Sequence, residues 1–166
     1  VRNNNSSRFG KYIKLQYDKS LRITEANTID FLLEKSRLVS VAPNERNYHV
    51  FYQLCKGLAD SDEDMCSQLQ LVEPQEYTII ASGGCLTASD TTDDEAEFQL
   101  LQEALRDCCV SNVELLAIWK LLVTLLHLGN VTVAPSTNSP QETAQQLDTP
   151  VTGGFGFIAN LLGVSE

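Results

Sequence analysis

Arg2-Asn3-Asn4-Asn5-Ser6-Ser7-Arg8-Phe9-Gly10-Lys11 is the stretch on which the reading of this chain turns. Its asparagine amides and serine hydroxyls are short, uncharged groups that can approach phosphate oxygens or a metal ion closely. A serine hydroxyl is a hard oxygen ligand suited to Mg²⁺, which takes few protein ligands alongside substrate phosphates. Arg8 cannot lose its charge and offers a planar fork to a carboxylate or a phosphate. The cluster precedes an alternating run, so a strand can hold it still. Composition alone favours the bland reading of Asn-Asn-Asn-Ser-Ser as a solvated polar tract, and only the full ordered string speaks against it.

Moving outward, residues 9–17 alternate, with Phe9, Ile13, Leu15 and Tyr17 on one face and Tyr12, Lys14 and Gln16 on the other. Asp18-Lys19-Ser20 supplies a turn. In the second run Leu21, Ile23, Ile29, Phe31 and Leu33 share a parity, so residues 9–34 are predicted to form a β-hairpin. Helices follow Pro43. Asn44 is placed to cap a helix over 45–57, with Tyr48, Phe51, Tyr52, Cys55 and Leu58 at helical spacing, and Ser61 a short turn through Leu69. Residues 81–95 read as a Gly-, Ser- and Asp-rich loop. Thr92 with Glu95 then forms a capping box for a helix to Cys109, whose stripe is Phe98, Leu101, Leu105 and Cys108. Ser111 and Glu114 form a second box for a helix that is nearly continuously apolar to Leu128 and stops at Gly129-Asn130. Such a helix belongs in a core. Thr132–Gly154, with Pro135, Pro140 and Pro150, is expected to be a flexible surface loop before a short helix over Phe155–Leu162. The fold class is mixed α/β, a hairpin leading into a mostly helical body.

The 166 residues suffice for a sizeable core, and 43% apolar content is globular. The net charge of −10 disfavours a basic nucleic-acid binder. It is unevenly spread. Residues 1–56 hold ten Lys/Arg against five acids, whereas residues 57–166 hold two against seventeen. A basic head on an acidic body suits a head that meets an anion. Within the body, the acidic run Asp90–Glu97 reads as a solvated loop and helix N-terminus, where carboxylates favour the dipole. The five cysteines show no C-x-x-C spacing, and Cys108 with Cys109 read as small buried, inert hydrophobes. This usage suits a reducing, cytosolic compartment. His49 and His127 are too far apart in sequence to suggest a zinc site and read as structural histidines. No signal peptide is evident, and Leu115–Leu128, broken by Lys120, is too short for a membrane span. The chain opens at Val1, almost directly inside the motif, as a piece of a longer polypeptide would.

The ordered string Asn3 to Lys11 closely resembles switch I of the myosin motor domain, N-x-N-S-S-R-F-G-K. Kinesin motors share the Ser-Ser-Arg part, but Phe9-Gly10-Lys11 and the following strand are similar to myosin. Three further stretches agree in order: Leu32-Leu33-Glu34-Lys35-Ser36-Arg37, then Glu45-Arg46-Asn47-Tyr48-His49-Val50-Phe51-Tyr52-Gln53-Leu54, then Leu126-His127-Leu128-Gly129-Asn130. The resemblance spans essentially the whole chain and is weaker over 60–95 and 131–154. It implies a P-loop NTPase-type motor fragment and an actin-based, ATP-hydrolysing motor, cytoplasmic and cytoskeletal, with ATP and Mg²⁺ as cofactors. Actin filaments and the remainder of the myosin heavy chain would be its partners, light chains or calmodulin joining only through other regions. Nucleic-acid binding and membrane insertion are not implied.

Carried over residue by residue, the resemblance has Asn3 contact the phosphates, Ser7 ligate Mg²⁺ and Ser6 sit at the γ-phosphate beside the attacking water. Arg8 forms the salt bridge with a switch II glutamate that closes the site. Switch I covers residues 2–11, transducer strands about 9–34 and the helical upper subdomain about 44–166, with Tyr48, Phe51, Leu116, Trp119 and Leu126 as packing residues. No G-x-x-x-x-G-K-[ST] or D-x-x-G-F-E string occurs in these residues, so the isolated segment is expected to be inactive. The competing expectation is a non-catalytic acidic helical interaction module.

Overall fold

The computed structural model describes residues 8–88, 92–131, 133–134, 145–146 and 154–164. The chain falls into two compact units, Val1–Arg37 and Leu38–Glu166.

In the first unit, β1 (Gly10–Tyr17) pairs antiparallel with β2 (Ile23–Phe31). Asp18 makes the turn. Its Oδ1 accepts hydrogen bonds from the Ser20 and Arg22 backbone N–H groups at 2.8 and 3.0 Å, and its N–H donates to the Arg22 carbonyl at 2.9 Å. This is the Asx geometry that makes aspartate a turn former without help from glycine. The register places Tyr12 opposite Ile29 and Gly10 opposite Phe31, while Ile13 and Leu15 face Thr28 and Ala26. The two strands' apolar parities therefore land on opposite faces, not on the single apolar face that alternation predicts. A bulge between Gln16 and Tyr17 shifts the pairing, and loop and bulge together set the register. Both faces carry large apolar side chains, the pattern of strands that are buried on both sides of a sheet.

The second unit is helical: α1 (His49–Ser61), α2 (Glu63–Gln68), α3 (Thr78–Ala81), α4 (Asp94–Asp107), α5 (Asn112–Gly129) and α6 (Gly154–Leu162). α1 carries two buried stripes. Leu54 and Leu58 join Phe98, Leu115, Trp119 and Val123 in one cluster; Phe51, Tyr52 and Cys55 join Tyr77, Ile80 and Leu126 in the other. Gly57 lets α4 approach, because a Cβ there would lie 2.5 Å or less from Phe98 atoms. The Phe98 ring then tilts against Trp119 with centroids 5.1 Å apart. α5 extends beyond the Leu115–Leu128 run at both ends and at 18 residues has the length and apolar character of a short membrane span, contrary to the expectation of too short a run. Its Leu115, Trp119, Val123 and Leu126 are buried in the core.

Caps differ in detail from expectation. α5 has the predicted box, Ser111 Oγ accepting from the Glu114 N–H and Glu114 accepting from the Ser111 N–H. α4 is capped by Asp93, one residue beyond Thr92, and α2 by Asp62, one beyond Ser61. α1 begins after Tyr48, four residues beyond the predicted start, and Asn44 sits in a turn at φ 62°. The residues between are otherwise engaged: the Asn47 N–H donates to Tyr52 Oη at 3.1 Å and Asn47 Nδ2 to the Ile79 carbonyl at 3.0 Å. Arg46 is also committed, to a carboxylate described below. Within 132–154, the predicted flexible loop, Val133–Ala134 (β3) pairs antiparallel with Gln145–Gln146 (β4) and Gly154 begins α6; the other residues of the segment lie outside the described residues.

Cys108 and Cys109 are exposed, contrary to the buried assignment, because α4 ends at Asp107 and the chain turns there. Cys109 adopts φ 63° with its N–H donating to the Arg106 carbonyl, and the Val110 N–H reaches the Leu105 carbonyl. That is a Schellman end with cysteine where glycine is usual. Cys109→Gly is therefore expected to raise stability by about 0.5–1 kcal/mol, read as a higher urea midpoint at unchanged slope.

Candidate functional site

The site grows from the open end of the hairpin. Beyond the Gly10–Phe31 pair, the Glu34 N–H donates to the Arg8 carbonyl at 2.9 Å, which brings residues 26 apart in sequence into register. Arg8 Nη1 then donates to Glu34 Oε2 at 3.3 Å. Arg37, on the short 3-10 turn Lys35–Leu38, donates from Nε to the same oxygen at 3.0 Å. Two guanidinium groups thus share one carboxylate. The Arg37 hydrogen bond foremost, with the charges of Arg37 and Arg8, holds the Glu34 carboxyl below the usual glutamate range. Gly10 lies under the Phe31 ring, where a Cβ would come within 2.5 Å of ring atoms. The entry to β1 thereby stays close to the end of β2, three residues before Glu34.

Of the four site residues proposed from sequence, Arg8 is placed at this cluster; Asn3, Ser6 and Ser7 lie outside the described residues. Glu34 and Arg37 were not singled out for chemistry from sequence. They stood inside a quoted family stretch, but only the hairpin register shows that they meet Arg8.

A second cluster was also missed, in the helical unit. Arg46 Nη2 donates to both oxygens of Asp94 at 2.9 and 2.8 Å, and both side chains are at most 5% exposed. The Arg46 guanidinium lies 3.9 Å over the Tyr52 ring, and its Nη1 is 3.2 Å from His49 Nδ1. Lys56 Nζ approaches Asp94 from the solvent side at 3.6 Å. Among the described residues of the Asp90–Glu97 run, which reads as solvated, Asp94 is thus the buried exception. No sequence signal separates it from its acidic neighbours, because its partner is 48 residues away. The cluster ties the segment before α1 to the start of α4 and is architectural.

The histidines are structural as expected. His127 is buried, its Nε2 3.3 Å from the Leu69 carbonyl and its ring edge-on to Tyr77 and Phe157. Burial pushes its pKa down, favouring the neutral ring. Asn130 ends α5 with Oδ1 accepting from the Thr78 N–H and Nδ2 donating to the Glu76 carbonyl. Cys55 is buried, and desolvation raises its thiol to about 12, so it is inert at neutral pH.

Against known families, the one described as myosin head (motor domain) matches residues 1–166. Unconventional myosin heavy chain 6 of Caenorhabditis elegans is 40% identical over 166 residues, covering 100% of this chain and 8% of the relative. The non-muscle myosin-2 heavy chain of Acanthamoeba castellanii is 38% identical over 165 residues, covering 99% and 10%. Unconventional myosin-VIIb of Mus musculus is 38% identical over 166 residues, covering 100% and 8%. The chain therefore spans about a tenth of the length of these relatives. Their agreement along its whole length gives no support to the acidic-module alternative.

Proposed function

The chain belongs to the myosin head (motor domain) family, and from that premise we propose that it forms one wall of the nucleotide site of an actin-based, ATP-hydrolysing motor. The observation that carries this reading is the unbroken string Asn3 to Lys11 delivered onto a hairpin whose open end fixes Arg8. In this reading residues 2–11 are switch I of a P-loop NTPase-type fold. The P-loop and the switch II glutamate come from the remainder of the heavy chain, and the isolated segment does not turn over ATP. The motor works in the cytoplasm on the actin cytoskeleton. Light chains or calmodulin bind through other regions.

The donor set fits Mg·ATP. Amide and hydroxyl groups at Asn3, Ser6 and Ser7 can contact phosphate oxygens and a hard cation, and Arg8, whose side chain is 38% exposed, is available to a carboxylate. Mg²⁺, when bound, would supply neutralisation of phosphate charge; Ser7 would give it one hydroxyl ligand, Asn3 would contact the phosphates, and Ser6 would orient at the γ-phosphate beside the attacking water. Phosphoryl transfer asks little covalent chemistry of the protein, so positioning and electrostatics supply the rate. Arg8 acts on closure, through its bridge to the switch II glutamate. The hairpin, apolar on both faces, takes its place among the transducer strands that relay nucleotide state to the actin cleft, and the helical unit belongs to the upper subdomain beside that cleft.

In the intact motor, Ser7→Ala is expected to raise the Mg²⁺ concentration for half-maximal ATP hydrolysis by at least about tenfold, since weakened metal ligation typically costs 10–100-fold. A Mg²⁺ titration of steady-state ATPase reads this. A half-maximal concentration equal to the parent's would remove Ser7 from the metal site.

A further inference from the structure

Glu34 is the one described carboxylate that touches Arg8, and its position has a functional implication. Its Oε2 accepts from Arg8 at 3.3 Å and from Arg37 at 3.0 Å. The two arginines are unequal. The Arg37 side chain is 7% exposed and lies three residues from Glu34, so it is fixed; that of Arg8 is 38% exposed and makes the longer contact, so it is the member able to leave. Departure of Arg8 leaves Glu34 still paired with Arg37. The backbone bond from the Glu34 N–H to the Arg8 carbonyl keeps the holding position in place throughout.

We propose that Glu34, backed by Arg37, is a positioning residue that holds Arg8 while switch I is open and releases it to the switch II carboxylate on closure. This rests on the reading of Arg8 as the closing arginine. A half-exposed pair is worth a few tenths of a kcal/mol to about 1 kcal/mol, so the hold biases closure by about two- to fivefold and does not block it.

The test is a double-mutant cycle in the intact motor, reading the dissociation rate of a fluorescent N-methylanthraniloyl ADP with Mg²⁺, which is slower from the closed site. Glu34→Gln is expected to slow release about two- to fivefold in the parent and to have no effect in the Arg8→Ala background. Glu34→Asp, which keeps the charge, is expected to restore part of the parental rate. Equal effects of Glu34→Gln in both backgrounds, no effect in the parent, or faster release overturn the proposal while leaving Arg8's role intact. Parental hydrolysis by Arg8→Ala is the distinct failure of the underlying reading, and the proposal then falls with it.

Discussion

Asp94→Ala is expected to cost the helical unit about 3–5 kcal/mol, the usual penalty for removing one partner of a buried ion pair. The loss comes mainly from what is left behind. Arg46, with its side chain 5% exposed and its guanidinium stacked on the buried Tyr52 ring, would hold a charge with neither its carboxylate nor ready access to water. Lys56, whose side chain is 44% exposed, can turn to solvent and shares little of the loss. Asp94→Asn keeps the volume and one acceptor oxygen, so a smaller penalty is expected. A paired replacement, Arg46→Met with Asp94→Leu, is expected to recover most of the stability, because apolar residues of similar volume can substitute for a buried pair. Trp119 is the chain's single tryptophan and packs on Phe98 of α4, so its fluorescence reports urea unfolding of this region. A loss below about 1 kcal/mol for Asp94→Ala would place the pair among those worth no more than a surface contact.

Such features mark where the sequence was and was not legible. Local signals transferred well. The Ser111/Glu114 box starts α5 and Asp18 builds the hairpin turn, each through bonds spanning four residues or fewer, and α5 ends at Gly129-Asn130 as its sequence suggests. Long-range facts did not transfer. Nothing local shows that Asp94 is buried while Asp93 caps the helix, or that α1 waits until His49 because Arg46 and Asn47 are committed elsewhere. Parity found the strands but not their facing, since a bulge moves Ile29 and Phe31 to the side of Tyr12. The Cys108-Cys109 pair misled because apolar periodicity continues past the residue where α4 stops. At the candidate site, the string Asn3 to Lys11 suggests chemistry from its order alone, whereas Glu34 joins Arg8 only through the register that sets the two side by side.

Arg8→Ala carries the largest expected functional effect and bears most directly on the nucleotide-site assignment. The proposed bridge forms after ATP has bound, so its loss is expected to spare binding and depress the chemical step. Removing a single group that stabilises or positions a transition state commonly costs about 10²–10³-fold, and a fall of that order is expected here. Arg8→Lys is expected to recover little, because an ammonium cannot reproduce the fork that grips a carboxylate. The deciding measurement is quenched-flow phosphate formation in a single turnover of the intact motor, beside the transient of Mg·ATP binding. The account predicts a binding transient within a few-fold of the parent and a hydrolysis step slowed about a hundredfold or more. Phosphate formation at the parental rate and amplitude would contradict it.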